Sequence, residues 1–155
     1  MDCIYYKKGF KYQLTDTYRI KINIKPLEPI HTDYIDLSSE GWLTIRKGYA
    51  WDGPSGPTKF IVFLLELIPF IGEWLARKFI EKFMRGALVH DVIYQLIRQG
   101  YLPGHYRLYA DQLLRDICLE DGMSKVRAWW VYKGVRWGAG FAADPSNKKK
   151  VITAP

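Results

Sequence analysis

The stretch RGALVHDVIYQL, residues 85–96, decides how the chain is read. Its apolar residues follow the spacing of a helix, and a helix core is ordinarily filled with Leu, Val and Ile. Here a His-Asp pair, His90 and Asp91, stands in the middle, with Tyr94 four residues after the His. On a helix, residues i and i+4 share a face, so His90 and Tyr94 stack along one side while Asp91 points about 100° away. Asp91 is then not placed to orient the His90 ring. The pair is either a solvated polar face or the chemical centre of the protein.

Outward from this stretch, the helical period starts at residue 59 and continues to residue 99. Pro69 and Gly72 interrupt it, which predicts helices over 59–68 and 73–99, with Gly86 a further candidate break. GYLPG (100–104) predicts a turn, and HYRLYADQLLRDICLEDG (105–122) a second amphipathic helix closed at Gly122. Ser124 then caps a third, KVRAWWVYKGVRWGAGFAA (125–143). The connection at 100–104 is short, so the first two of these helices are antiparallel neighbours, which brings Asp111 of YADQLL towards His90.

Before residue 50 the period is two. YRIKINI (18–24) alternates basic and β-branched residues, and DYIDL and GWLTIRKGY flank the turn-like SSEG. AWDGPSGPT (50–58) holds too much Gly and Pro for a helix or a central strand and reads as a shaped loop. The expectation is an α+β fold in a single domain over 1–141: an antiparallel sheet between about residues 9 and 50, the Gly/Pro loop 50–58, helices over 59–141, and a loose basic tail over 142–155.

Composition bounds the function classes. With 155 residues, 48% of them apolar, the chain is long enough to bury a core. Two cysteines, Cys3 and Cys118, make no disulfide framework; they read first as buried free thiols, which suits a reducing compartment or a virion, and second as a single bridge. The start MDCIYYKKGF has no apolar core of a secretory signal. The run FIVFLLELIPFIG (60–72) is too short to span a bilayer and reads first as a buried core helix, second as an element touching membrane or a partner. A net charge of +7 favours anionic partners, but the basic residues are dispersed and specific nucleic-acid binding is not expected.

The residues around His90 have a chemical use. A neutral imidazole takes a proton from water with one nitrogen while a carboxylate, here Asp111, holds the other N–H. Asp91 is then available to a hard cation such as Ca²⁺, with carbonyls exposed by the Gly/Pro loop WDGPSGP as further oxygen ligands. HDVIY followed by YADQLL resembles the phospholipase A2 superfamily, the parvoviral capsid phospholipases in particular, over roughly residues 49–116. That resemblance implies His90 as general base, Asp91 as calcium carboxylate, backbone carbonyls near Trp51 and Gly53 as the rest of the metal site, Tyr94 and Asp111 as holders of the His network, and a phospholipid or membrane surface as substrate. The loop departs from the superfamily in reading Gly53-Pro54-Ser55-Gly56-Pro57. Over most of residues 30–140 the chain is also similar to a family of uncharacterised phage and prophage proteins sharing GYAWDGPSGPT, LVHDVIY and ADQLL. This resemblance implies no activity.

The leading expectation is therefore a phage-encoded, calcium-dependent lipid ester hydrolase acting in a virion or the host cytoplasm. The competing one is a non-catalytic tail or capsid protein whose polar cluster only fixes helix packing, with other virion proteins as partners. Several plainer readings stand beside them. Asp111 is in reach of Arg107 or Arg115 on its own helix. His31 and His105 are available to a metal site, and His31, His90, Asp91 and Asp111 would be the set of a phosphohydrolase. Ser55 lacks the Gly-x-Ser-x-Gly of a nucleophile elbow. Trp129, Trp130 and Trp137 read as packing residues, with Lys133 and Arg136 beside them as contacts for lipid headgroups or a subunit.

Overall fold

The computed structural model describes residues 6–7, 12–51, 69–138, 143–144 and 146. The protein is an α+β fold: the described residues form seven short strands followed by three helices. The strands are β1 (Tyr6–Lys7), β2 (Tyr12–Leu14), β3 (Tyr18–Lys21), β4 (Ile30–His31), β5 (Ile35–Leu37), β6 (Trp42–Ile45) and β7 (Ala50–Trp51). They form two antiparallel sheets, ordered β1-β2-β7 and β3-β6-β5-β4, where the sequence pattern suggested one.

The period-two segment behaves as its pattern requires. Tyr18, Ile22 and Ile24 are buried while Arg19, Lys21 and Asn23 face solvent, although strand pairing ends at Lys21. The turn between β5 and β6 depends on Gly41, whose φ is +86°; a Cβ there would lie 2.4 Å from the carbonyl oxygen of Ile22. Ser38 closes this turn, its carbonyl accepting from Gly41 N–H at 2.9 Å and its Oγ from Trp42 N–H at 3.1 Å.

The helices are α1 (Gly72–Arg98), α2 (Tyr106–Glu120) and α3 (Lys125–Gly138). α1 and α2 end the same way. Gly100 and Gly122 take left-handed φ values of +84° and +81°, and the amides just beyond them, Tyr101 N–H and Met123 N–H, donate back to Leu96 and Cys118 at 2.9 Å each. Ser124 stands at the start of α3, its carbonyl accepting from Ala128 N–H at 2.9 Å. The expected helix 59–68 lies outside the described residues. Of the apolar run ending at residue 72, Phe70 and Ile71 are exposed and Gly72 is buried.

One apolar cluster joins the sheets to α1. Ile35, Leu37, Leu43 and Ile45 meet Leu88, Val89, Val92, Ile93 and Leu96, all fully buried. Each such side chain stabilises the fold by about 1.5–3 kcal/mol relative to exposure. A second cluster joins the helices: Phe79, Phe83 and Ala87 of α1, Leu114 and Cys118 of α2, Ala128 and Val131 of α3. Cys118 is buried there as a free thiol, and burial pushes its pKa up to about 12, so it packs as an apolar group. Arg85 reaches out of α1 to pin these layers. It donates to Asp121 at 3.0 Å, Glu120 at 2.8 Å and the Tyr18 hydroxyl at 3.3 Å, linking the end of α2 to β3.

Gly86 does not break α1; it lets α2 approach. A Cβ at this position would lie 2.8 Å from Leu114 Cδ1, 3.1 Å from the Leu114 carbonyl oxygen and 3.3 Å from Cys118 Sγ. Gly86→Ala is expected to gain the roughly 1 kcal/mol of helix propensity and to lose more through overpacking, about 1–3 kcal/mol. Urea unfolding should give a lower midpoint for the variant; an unchanged or higher midpoint would show that α2 relaxes freely around the added methyl.

Candidate functional site

The site is assembled by three helices around one carboxylate. Asp111 of α2 is fully buried and both of its oxygens are used. Oδ1 lies 2.8 Å from His90 Nε2 and accepts from the Tyr94 hydroxyl at 2.7 Å; Oδ2 accepts from Arg136 Nη1 of α3 at 2.8 Å. The antiparallel packing of α1 on α2 makes the first two contacts, and the i, i+4 spacing puts His90 and Tyr94 on the face turned to α2. Their ring centroids are 4.1 Å apart. His90 and Tyr94 are both buried, at 6% and 2% exposure, so the cluster is not a solvated polar face.

A further layer holds the first. Arg107 Nε donates to the Tyr94 hydroxyl at 3.1 Å, and its Nη2 donates to the Arg136 carbonyl at 2.9 Å. Tyr94 thus accepts from Arg107 and donates to Asp111. Neither Arg107 nor Arg115 pairs with Asp111 as spacing along α2 suggested: Arg107 turns to Tyr94, and Arg115 pairs with its neighbour Asp116 at 2.7 Å. Arg136 takes that place. The sequence marks it only as a basic residue beside tryptophans, because the contact comes from α3 packing on α2 and follows no local spacing.

The ionisation states follow from these contacts. Burial works against the Asp111 carboxylate, but the bonds from His90, Arg136 and Tyr94 outweigh it and hold its pKa below the ordinary 3.8. Burial also works against the His90 imidazolium, and Asp111 and then Asp91 more than offset it, raising His90 above its ordinary 6.5. Burial and the adjacent Asp111 anion keep the Tyr94 phenol protonated well beyond its usual range.

Asp91 is the open carboxylate of the group. Its side chain is 32% exposed, and Oδ1 lies 3.6 Å from His90 Nδ1. That is closer than the helical angle alone suggested, yet longer than a hydrogen bond, so Asp111 sets the ring orientation. A hard cation takes six to eight oxygen ligands. Asp91 has the chemistry for one of them, since Asp111 is spent on three donors. Trp51 closes β7 with its ring in the sheet core; Gly53 and the rest of the loop 52–58 lie outside the described residues, as does Cys3. Among the described residues, no three His, Cys, Asp or Glu side chains converge on a metal position. The phosphohydrolase set therefore does not form: His31 is tied to Asp36 at 2.8 Å, and with His105 it lines a separate surface cleft of about 830 Å³.

An α+β fold with a buried His–Asp–Tyr cluster is what the chain presents, and comparison with known proteins places it further. Residues 30–135 match the family model described as "Protein of unknown function (DUF1353)". The match covers more than half of the 155 residues, and the chain belongs to this family. It spans β4 to nearly the end of α3, so His90, Asp91, Tyr94, Arg107 and Asp111 all fall inside it, while Arg136 lies one residue beyond. No curated protein and no solved structure matches.

The Asp111 contacts carry a pH dependence. A carboxylate whose folded pKa is depressed contributes stability above its unfolded value, near 3.8, and loses that contribution as pH falls through the lower folded value. Asp111→Asn keeps the shape but weakens the acceptor for Arg136 and His90, at a cost of about 2 kcal/mol. Denaturant curves should show that gap at pH 6 and a smaller gap as pH drops below about 4. A gap that stays constant into acid would mean that Asp111 is not ionised in the fold.

Proposed function

We propose that the protein is a phospholipase A2-like ester hydrolase in which His90 is the general base. The observation that carries this reading is the 2.8 Å contact between His90 Nε2 and Asp111, with the opposite nitrogen, Nδ1, directed to the side of the exposed carboxylate Asp91. Asp111 fixes the tautomer by accepting Nε2–H and stabilises the imidazolium that forms. Nδ1 then takes a proton from a water as the water oxygen adds to an ester carbonyl; the ester C–O bond breaks, and the imidazolium returns the proton to the departing alkoxide, giving a carboxylic acid and an alcohol. Tyr94 and Arg136 keep Asp111 in place and ionised, so the ring does not turn during the transfer.

Asp91, with carbonyls near Trp51 and Gly53, would hold Ca²⁺ in this reading; such an ion supplies electrostatic stabilisation of the developing oxyanion. The likeness of the HDVIY and ADQLL motifs to phospholipases supports a phospholipid substrate. The likeness of most of residues 30–140 to phage and prophage proteins supports action in a virion or the host cytoplasm.

Release of fatty acid from phospholipid vesicles with Ca²⁺ present, followed for wild type, His90→Ala and Asp91→Asn, tests the proposal. Wild type should release fatty acid. His90→Ala should lose about 10²–10⁴-fold while still folding, as circular dichroism and a cooperative melt would show even at a lowered melting temperature, and Asp91→Asn should abolish saturable Ca²⁺ binding in calorimetry. A wild-type chain that neither binds millimolar Ca²⁺ nor releases fatty acid would sink the reading and leave the cluster a packing device, as in a structural virion protein.

A further inference from the structure

The outward face of α3 is apolar where a surface helix is ordinarily polar. Trp129, Trp130 and Trp137 are 46%, 53% and 76% exposed, so the expectation that these tryptophans pack in the core is overturned, and Val126 beside them is 68% exposed. The buried face of α3 is made by Ala128 and Val131, small enough to sit close against Phe79 and Phe83 of α1. At 100° per residue, Val126, Trp130, Lys133 and Trp137 fall along one stripe opposite that face. Fixing three indoles in water is costly unless something covers them.

The charge on the helix says what does. α3 carries Lys125, Arg127, Lys133 and Arg136 and no acidic residue. Arg136 is used by Asp111; the other three sit beside the indoles, with Lys133 Nζ 5.5 Å from the centre of the Trp129 ring. Tryptophan interleaved with lysine and arginine, and no carboxylate among them, is the chemistry of a helix lying in the headgroup layer of an anionic bilayer. A second copy is disfavoured, because a two-fold contact would set this positive stripe against itself. An ordinary protein interface would be depleted in lysine. The Trp129 and Trp130 rings meet edge to face, at 78°, and together offer no flat platform for nucleic-acid bases.

We infer that the outward face of α3, centred on Trp130, Lys133 and Trp137, docks the protein onto an anionic lipid surface. This holds whether or not His90 acts as a base, since none of these side chains belongs to the His90 cluster. The helix lies flat, its indoles at the level of the headgroups and its basic side chains on the lipid phosphates.

Flotation of the full chain with vesicles of non-hydrolysable diether phospholipids, phosphatidylcholine alone or mixed with phosphatidylglycerol, reads this binding apart from any hydrolysis. The wild type should float with the anionic vesicles, more weakly with phosphatidylcholine, and less as salt rises. Trp130→Ser/Trp137→Ser should bind at least about tenfold more weakly, and Lys125→Gln/Arg127→Gln/Lys133→Gln roughly fivefold more weakly per charge removed. Both sets of changes are on the exposed face, and circular dichroism and melting should show them folded. Anionic vesicles ignored by wild type, or bound equally by the Trp variant, would overturn the inference. In that event, a dimer in sedimentation equilibrium, or binding of oligothymidylate, abolished by the same Trp substitutions would assign the face to a second copy or to nucleic acid.

Discussion

The helical half of the molecule depends on one buried carboxylate. Asp111 has no solvent exposure, and its two oxygens take contacts from α1, through His90 and Tyr94, and from α3, through Arg136. A buried anion is tolerated only when nearly all of its acceptor capacity is met. Meeting it requires the three helices to keep one relative position, so packing and site geometry are a single constraint. The apolar contacts of Phe79, Phe83, Leu114 and Val131 allow a range of slides; the polar cluster selects among them.

A second buried ion centre, at Arg85, sits where the end of α2 meets β3. Arg85 bonds Asp121, Glu120 and Tyr18, of which Glu120 is well exposed, and all its contacts serve to hold elements together. The His90 cluster differs in having a titratable ring whose second nitrogen is not consumed by the carboxylate that holds it. One centre is a clamp. The other is a clamp with a titratable edge, and that edge faces Asp91.

The lipid-facing reading of α3 and the hydrolase reading of His90 meet at Arg136. The same helix that carries exposed Trp130 and Trp137 on one side sends Arg136 to Asp111 on another. Both readings concern the same class of partner, an anionic or ester-bearing lipid, yet they rest on different residues and fail separately.

Periodicity and glycine placement made much of the fold legible. The change from period two to period 3.6, the stops at Gly100 and Gly122, and the i, i+4 pair His90/Tyr94 are local properties of the chain. The approach of Asp111 followed from them, because a short turn between two helices leaves little choice but antiparallel packing. What local spacing does not carry is which third element arrives. Arg136 in place of Arg107 or Arg115, Gly86 as a contact point and not a break, and tryptophans turned outward were all decided by how α3 lies on α1 and α2. That placement is set by the summed burial of distant side chains, and no single stretch of sequence contains it.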